Sequence, residues 1–441
     1  MTTNTAEPSS KLLAPRTARA GQRARTGRVA VVDPFSTATD LAGAFARRGW
    51  GAVAVLSGPP PAGLHAEMRA SDYLDVLTPD PSDLEAAARH LRTLEVTHVV
   101  AGSESGVILA DALARLIGVP GNDPATSFAR RDKFAMSLAL RNARVPGLRG
   151  VCAGTVAEAV AAARGIGSWP VVLKPRSSAG SDNVLFAADP DEVAGHASAV
   201  LGTRDIFGEV IDSLLVQQCL IGEQYACNTV SRGGRHRVVE IWHDRRTRLP
   251  DGRLIYDRMD LLDPRDTHVA IIARYVLRCL DALGIEHGPA HSEVMLTEVG
   301  PILIETGARL QGGDSVELMR RTNGTSQTDA LVEATLGSAR EHAERAHQPY
   351  YYRRPVTQLL LQCPADGVIG PAEVVEELMA VPGVAGAVHP LVPGTAVRRT
   401  ADLLSSPGTL YLAAENPGEL EQAYAAVRKL ESAGLYVPSE P

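Results

Sequence analysis

Two glutamates stand twelve positions apart between His291 and Arg309, each embedded in an apolar run, Ser292-Glu293-Val294-Met295-Leu296 and Ile302-Leu303-Ile304-Glu305. Apolar runs bounded by a turn signal such as Gly300-Pro301 read as the two strands of a buried hairpin. That hairpin sets Glu293 beside Glu305, and two like charges in a half-buried place are unfavourable unless cations join them. The chain must therefore fold around a hard metal ion or around basic side chains, and Arg309 follows Glu305 by four residues. Magnesium held by one or two carboxylates normally completes its shell with phosphate oxygens. The hairpin thus points to a nucleotide.

Upstream, Trp169-Pro-Val-Val-Leu-Lys174-Pro175 is a short apolar strand that ends on a lysine and runs into Arg176-Ser-Ser-Ala-Gly180-Ser181-Asp182-Asn183. Small residues there, Ser178, Gly180 and Ser181 among them, leave backbone N–H groups open to phosphates while Lys174 supplies charge. The spacing GxxxxGK[ST] does not occur, so this is no Walker loop. A loop of this kind is expected to close during turnover and open to release product. A second lysine, in Arg130-Arg131-Asp132-Lys133, opens an amphipathic helix whose first turn can face the same anion.

In order and spacing these segments resemble the ATP-grasp superfamily of carboxylate–amine ligases, from about Val29 to the C-terminus. The further pieces that carry the likeness are Gly102-Ser-Glu-Ser-Gly106, Asn228-Thr-Val-Ser231 with Glu240-Ile-Trp242, Gly288-Pro-Ala-His291-Ser-Glu293, and Leu303-Ile-Glu305-Thr-Gly-Ala-Arg309-Leu-Gln-Gly-Gly313. Within it the chain is most similar to the bacterial L-amino acid ligases and dapdiamide-synthetase-like enzymes. The resemblance implies an α/β (α+β ATP-grasp) fold, with a Rossmann-like pre-ATP-grasp domain, an ATP-grasp core carrying a lid subdomain, and a C-terminal α/β unit.

It further implies ATP and Mg²⁺ as cofactors, with Mn²⁺ able to substitute. Lys133 and Lys174 would hold phosphates, Glu293 and Glu305 the metal, and Arg309 the acyl phosphate. The hinge would be Leu215-Val-Gln-Gln-Cys-Leu-Ile-Gly-Glu-Gln-Tyr225, with Gln218, Leu220 and either Glu223 or Gln224 on adenine and ribose. This chain departs from the family where Gln217 and Gln218 stand for a glutamate, and where Gly307 stands for a metal-binding asparagine. Glu104, His291, Gly312 and Gly313 are assigned to the substrate. The implied activity is ADP-forming: a carboxylate becomes an acyl phosphate and an amine displaces the phosphate, joining amino acids or similar compounds into a dipeptide or amide. Two other readings stay open, an amide synthetase with a non-amino-acid substrate in secondary metabolism, antibiotic biosynthesis included, and a silent nucleotide-binding module.

Composition fits a soluble enzyme, expected in the cytoplasm; small-molecule carboxylate and amine substrates are what the resemblance implies, and a homodimer is left open. A net charge of -7 argues against a nucleic-acid partner, and no apolar run approaches a membrane span. The five cysteines lack CxxC spacing and read as reduced core residues. Residues 1–27 read as a disordered tail, 28–124 as the pre-ATP-grasp domain, 125–340 as the core with its lid, and 341–441 as the last domain.

Strands are expected at 28–32, 52–56 and 96–101 and helices at 39–48, 82–94 and 105–117, a parallel unit whose strand ends face the ligand crevice. From there Glu104 can reach a substrate amine, although a plain helix-start role for 103–105 is equally open. Residues 243–253 read as a charged excursion between strands, with Arg245, Arg246 and Arg248 as a solvated run. Glu293 and Glu305 could instead form structural ion pairs with Arg309 and Arg258. His287 and His291 lack the helical context of a zinc site, which leaves His291 to line the pocket.

Overall fold

The structure, a computed structural model, describes residues 27–59, 68–177, 183–206, 208–248, 254–403 and 405–438. Residues 1–26, and with them nearly all of the expected tail, lie outside the described residues, as do Ser178, Gly180 and Ser181 and most of the loop expected to close.

The valine- and alanine-rich runs at the start form a four-stranded parallel sheet in the order Val76–Leu77, Gly51–Val55, Arg28–Val32, Val96–Ala101. Continuous apolar strands suit a parallel sheet covered on both faces. Helices Leu84–Thr93 and Val107–Ile117 pack on it, burying Val32, Val53, Leu91 and Leu113 completely. Asp83 caps the first of these by accepting from Ala86 N, and Gly118 in the left-handed region (φ 76°) ends the second. The expected helix at 39–48 is a short 3₁₀ turn, Ser36–Asp40, leading into Leu41–Ala46.

A separate antiparallel sheet carries Lys174. Its order is Gly150–Ala153, Leu214–Gln218, Val171–Pro175, Leu185–Ala187. Helices Val156–Ile166 and Pro190–Val200 bury one face around Ala159, Leu173, Val193 and Leu214. The alternation of a strand then turns Val172, Lys174 and Gln217 to the other face.

The largest sheet has eight antiparallel strands, in the order Gly300–Gly307, Gly288–Thr297, Glu223–Arg232, Arg235–Arg248, Leu254–Leu261, Val356–Leu360, Thr409–Ala413, Val384–Ala387. Helix Thr267–Ala282 packs behind it and buries Ile272, Val276 and Leu280 against Cys227, Ile241 and Val294. Strands from the last hundred residues thus extend the sheet that holds the glutamates. The charged excursion expected at 243–253 is corrected for 243–248, where strand Arg235–Arg248 pairs with Leu254–Leu261, while 249–253 lie outside the described residues. Charged side chains are tolerated on these strands because they are matched, Arg245 Nε to Asp260 at 2.7 Å and Arg246 Nη2 to Asp244 at 3.1 Å. Arg245 is exposed but Arg246 is largely buried, with its guanidinium 4.2 Å from the Tyr256 ring centre, so the solvated run does not hold at Arg246.

Candidate functional site

The hairpin forms in the register that the apolar runs imply. Glu293 stands opposite Glu305, with a bulge after Glu293. Lys133 Nζ lies 3.0 Å from Glu305 Oε2, and Gln224 Nε2 donates to Glu293 Oε2 at 3.0 Å. Burial pushes the Glu293 carboxyl up, yet His291, Arg246 and Arg309 outweigh it and hold the group down at about 2. The cluster therefore keeps a permanent anion in a largely buried place. The alternative of structural ion pairs is not what forms: Arg309 turns to Glu104, and Arg258 to Glu421 (2.6 Å) and Asp260 (3.4 Å).

Both lysines reach this place through local structure. Asp132 caps the helix Lys133–Asn142 by accepting from Ala135 N at 2.7 Å, and its other oxygen lies 2.7 Å from Arg176 Nε. Lys133 N donates to Arg176 O at 3.0 Å, which ties this helix start to the end of the strand that carries Lys174. Lys174 is buried. Burial first, and Lys133 second, pull its ammonium down to about 8, against the attraction of Glu305 and Glu293.

Beside the hairpin, Glu104, Arg131, Lys133, Met136, Glu305, Thr306, Gly307 and Arg309 line an open cleft of about 260 Å³. Glu104 bridges two guanidiniums, with Arg131 Nη1 2.9 Å from Oε1 and Arg309 Nε 3.0 Å from Oε2. Burial raises its carboxyl, but Arg131, Arg309 and Lys133 together leave it below its ordinary value. Glu104 also opens the short turn that leads into helix Val107–Ile117, without a side-chain cap bond. The sequence pattern marks Arg131 only as a neighbour of Lys133, yet the fold brings it to Glu104. Its position before the helix cap was the signal that could have found it.

The hinge residues separate by face. Gln217 is buried on the Lys174 side of its sheet while Gln218 is exposed, and Leu220 is half-buried in the turn that follows. Glu223 pairs with His243, which stacks on Tyr225 on the side packed by helix Thr267–Ala282. Gln224 points instead to the glutamates, beside Asp244, which pairs with it across the strands. Asp244 and Arg246 were not foreseen as neighbours of Glu293. The alternation Trp242, Asp244, Arg246 along a strand would have given them one face.

Behind Glu293 runs a buried polar chain. His291 Nδ1 meets Asn228 Oδ1 at 2.7 Å, and Asn228 Nδ2 donates to Glu240 and Gln311, each at 2.7 Å. Gln311 Nε2 donates to Gln358, which donates to Tyr411 Oη at 2.8 Å. Gly313 N donates to Ser36 Oγ at 3.1 Å and Asp314 N to Thr37 Oγ1 at 3.0 Å, so the Gly312-Gly313 loop is fastened to the N-terminal unit.

The donor set suits magnesium. It consists of two carboxylates, hard oxygens on rigid strands, and a lysine ammonium already stands against one of them. Among the described residues no group of three or more His, Cys, Asp or Glu is placed to hold a metal, so the remaining ligands would be phosphate and water oxygens.

A family model for an ATP-grasp domain matches residues 167–317. Dapdiamide A synthase of Enterobacter agglomerans is 30% identical over 354 residues, 79% of this chain and 82% of that protein. The crystal structure of an L-amino acid ligase from Bacillus licheniformis superposes with a TM-score of 0.71 at 17% identity, covering 94% of this chain and 100% of the other. A carboxyaminoimidazole ribonucleotide synthase from Aspergillus clavatus, solved with ATP, gives 0.67 at 14% identity over 92% and 99%. At those identities the two structures bear on the fold alone.

Proposed function

The chain belongs to the ATP-grasp carboxylate–amine ligases, and from that premise we propose that it joins two amino acids, or amino-acid-like compounds, with release of ADP and phosphate. The observation that supports this most is the cluster formed by Glu293, Glu305, Lys133, Lys174 and Arg309, two anions and three cations, of which Glu305, Lys133 and Arg309 line the cleft. A carboxylate approaching the γ-phosphate of ATP is repelled, anion against anion, so the rate depends on how much positive charge the site holds. Mg²⁺ on Glu293 and Glu305, with Mn²⁺ able to replace it, supplies charge to the phosphate oxygens when bound.

Lys133 and Lys174 face those oxygens directly. The carboxylate oxygen forms a bond to the γ-phosphorus as the bond to the ADP oxygen breaks, giving an acyl phosphate. The neutral amine then attacks the carbonyl carbon. Arg309 donates N–H to the oxyanion and to the departing phosphate, and the amine's surplus proton goes to solvent. No enzyme nucleophile takes part. Gln218 and Leu220 keep their proposed place at the hinge on adenine, and the ribose falls to Glu223, which pairs with His243, or to Gln224, which donates to Glu293. Ser178, Gly180 and Ser181 keep their proposed place on the phosphates, and His291, Gly312 and Gly313 theirs near the substrate. The proposed place of work is the cytoplasm, with a homodimer compatible with the reading.

The test is a matrix of amino-acid and amine pairs with ATP and Mg²⁺, read by ADP release and by mass spectrometry. Amide products from amino-acid pairs support the proposal. Products formed only from other carboxylates or amines replace its substrate class, and ATP binding without turnover in any pair overturns it.

A further inference from the structure

Gly307 ends the strand that carries Glu305, and a Cβ built on it would stand 2.7 Å from Glu104 Oε2, 3.1 Å from Arg309 Cζ and 3.2 Å from Arg309 Nε. The space that a side chain would fill is occupied by the Glu104–Arg309 ion pair. Glu104 cannot easily give way. Its own loop is packed hard onto the end of the first strand, where a Cβ on Gly102 would lie 2.6 Å from Asp33 O and one on Gly106 2.6 Å from Val32 O. Ser105 Oγ donates to Asp33 Oδ2 at 2.6 Å, and Asp33 in turn accepts from Ser57 N and Oγ at 2.7 and 2.5 Å. The carboxylate is thus delivered from a rigid strand end across the boundary between two sheets.

Arg309 is fixed at two points by this arrangement. Nε donates to Glu104, and Nη1 donates to Leu310 O at 3.0 Å. Two anchors on one planar group set its orientation and leave further N–H groups to be aimed.

We propose that Glu104 is a positioning residue, which the absence of a side chain at Gly307 admits into the site, and that it holds Arg309 in the plane from which Arg309 meets the acyl phosphate. In this arrangement both Glu104 oxygens serve guanidiniums, and its main task is alignment rather than capture of the substrate amine. The kinetic part rests on the ligase reading above; the contact itself does not.

The experiment is a double-mutant cycle of Glu104→Gln and Gly307→Ala. Each single variant should lower kcat about 10- to 100-fold, the range expected for loss of one charge-assisted bond, with KM for the amine and the dissociation constant of ATP changed less than about twofold. The double variant should lose no more than the worse single one, because the alanine methyl displaces an ion pair already broken. Retained kcat with a raised amine KM in Glu104→Gln would overturn the proposal in favour of direct amine binding. Multiplying losses in the double variant would also overturn it. Thermal unfolding of the same four proteins without nucleotide reads the contact independently of turnover: non-additive shifts support it and additive shifts overturn it, even if the unsubstituted protein formed no amide with any substrate pair.

Discussion

Replacing Arg309 by lysine keeps the charge of the cleft and removes its geometry, which makes the substitution the sharpest probe of the second half of the reaction. Guanidinium has five N–H donors in one plane; in the structure Nε is spent on Glu104 and one Nη1 hydrogen on Leu310 O, which leaves the outer edge free for an oxyanion. A lysine ammonium has three donors around a point and cannot hold both anchors and also face the substrate in that plane. Arg309→Lys should therefore lose most of one oxyanion-type donor, a fall in kcat on the order of 10² to 10³, or about 3–4 kcal/mol. Arg309→Ala should fall at least as far. The nucleotide dissociation constant should stay near its original value, since the proposal gives the phosphates to Lys133 and Lys174. The assay is steady-state ADP release at saturating substrates, paired with ATP titration in the absence of the amine. A variant that lost ATP affinity but kept its full rate at saturating nucleotide would refute the reasoning and make Arg309 a ground-state phosphate ligand.

Three further outcomes follow from named contacts. Glu305→Gln should leave the circular dichroism spectrum intact and lower ligation by about 10²-fold or more at saturating Mg²⁺, because an amide replaces the charged oxygen proposed for the metal and weakens the pair with Lys133; near-normal turnover would remove Glu305 from the metal site. Lys174, pulled down to about 8 by burial, costs the folded state stability at any pH below 8, a cost that fades as pH rises toward the unfolded value of about 10.4. ATP favours its charged form, so binding near pH 8.5–9 should take up a proton, seen as a buffer-dependent heat in calorimetry that Lys174→Met abolishes; identical heats in all buffers would contradict the assignment. Glu240 is pushed above the usual carboxylate range by burial and then by Asp314, so its contribution to stability is present below about pH 4.5 and is lost as pH rises through its folded value. Glu240→Gln keeps an acceptor for Asn228 and should raise Tm by about 2–4 °C at pH 9 while changing it little at pH 5; an equal shift at both pH values would mean that charge on Glu240 is not the cause.

What the sequence made legible were the features with a local cause. Glu293 and Glu305 could be paired because two apolar runs and one Gly-Pro turn fix the register, and Lys174 because it ends a strand whose other residues must be buried. The first parallel unit was readable for the same reason, through uninterrupted Val/Ala runs. Contacts between distant segments left no local trace. Nothing in the neighbourhood of Glu104 indicates that Arg131 and Arg309 will meet it across a separation of 205 residues in the second case. Nor does the pattern at Val356–Leu360 show that this strand will hydrogen-bond to Leu254–Leu261 and lengthen the central sheet. The run from His243 to Arg248 misleads because its charges look solvated one at a time, whereas alternation and cross-strand partners make it a strand.

In the proposed reaction the carboxylate itself takes the γ-phosphoryl group before the amine attacks, and isotope transfer reads that order. With both carboxylate oxygens of the acyl substrate labelled with ¹⁸O, an acyl phosphate route moves one labelled oxygen into each phosphate released and leaves the other in the amide. Singly labelled inorganic phosphate together with unlabelled ADP is the expected outcome. Label appearing in AMP, or phosphate carrying no label while amide is formed, would contradict it.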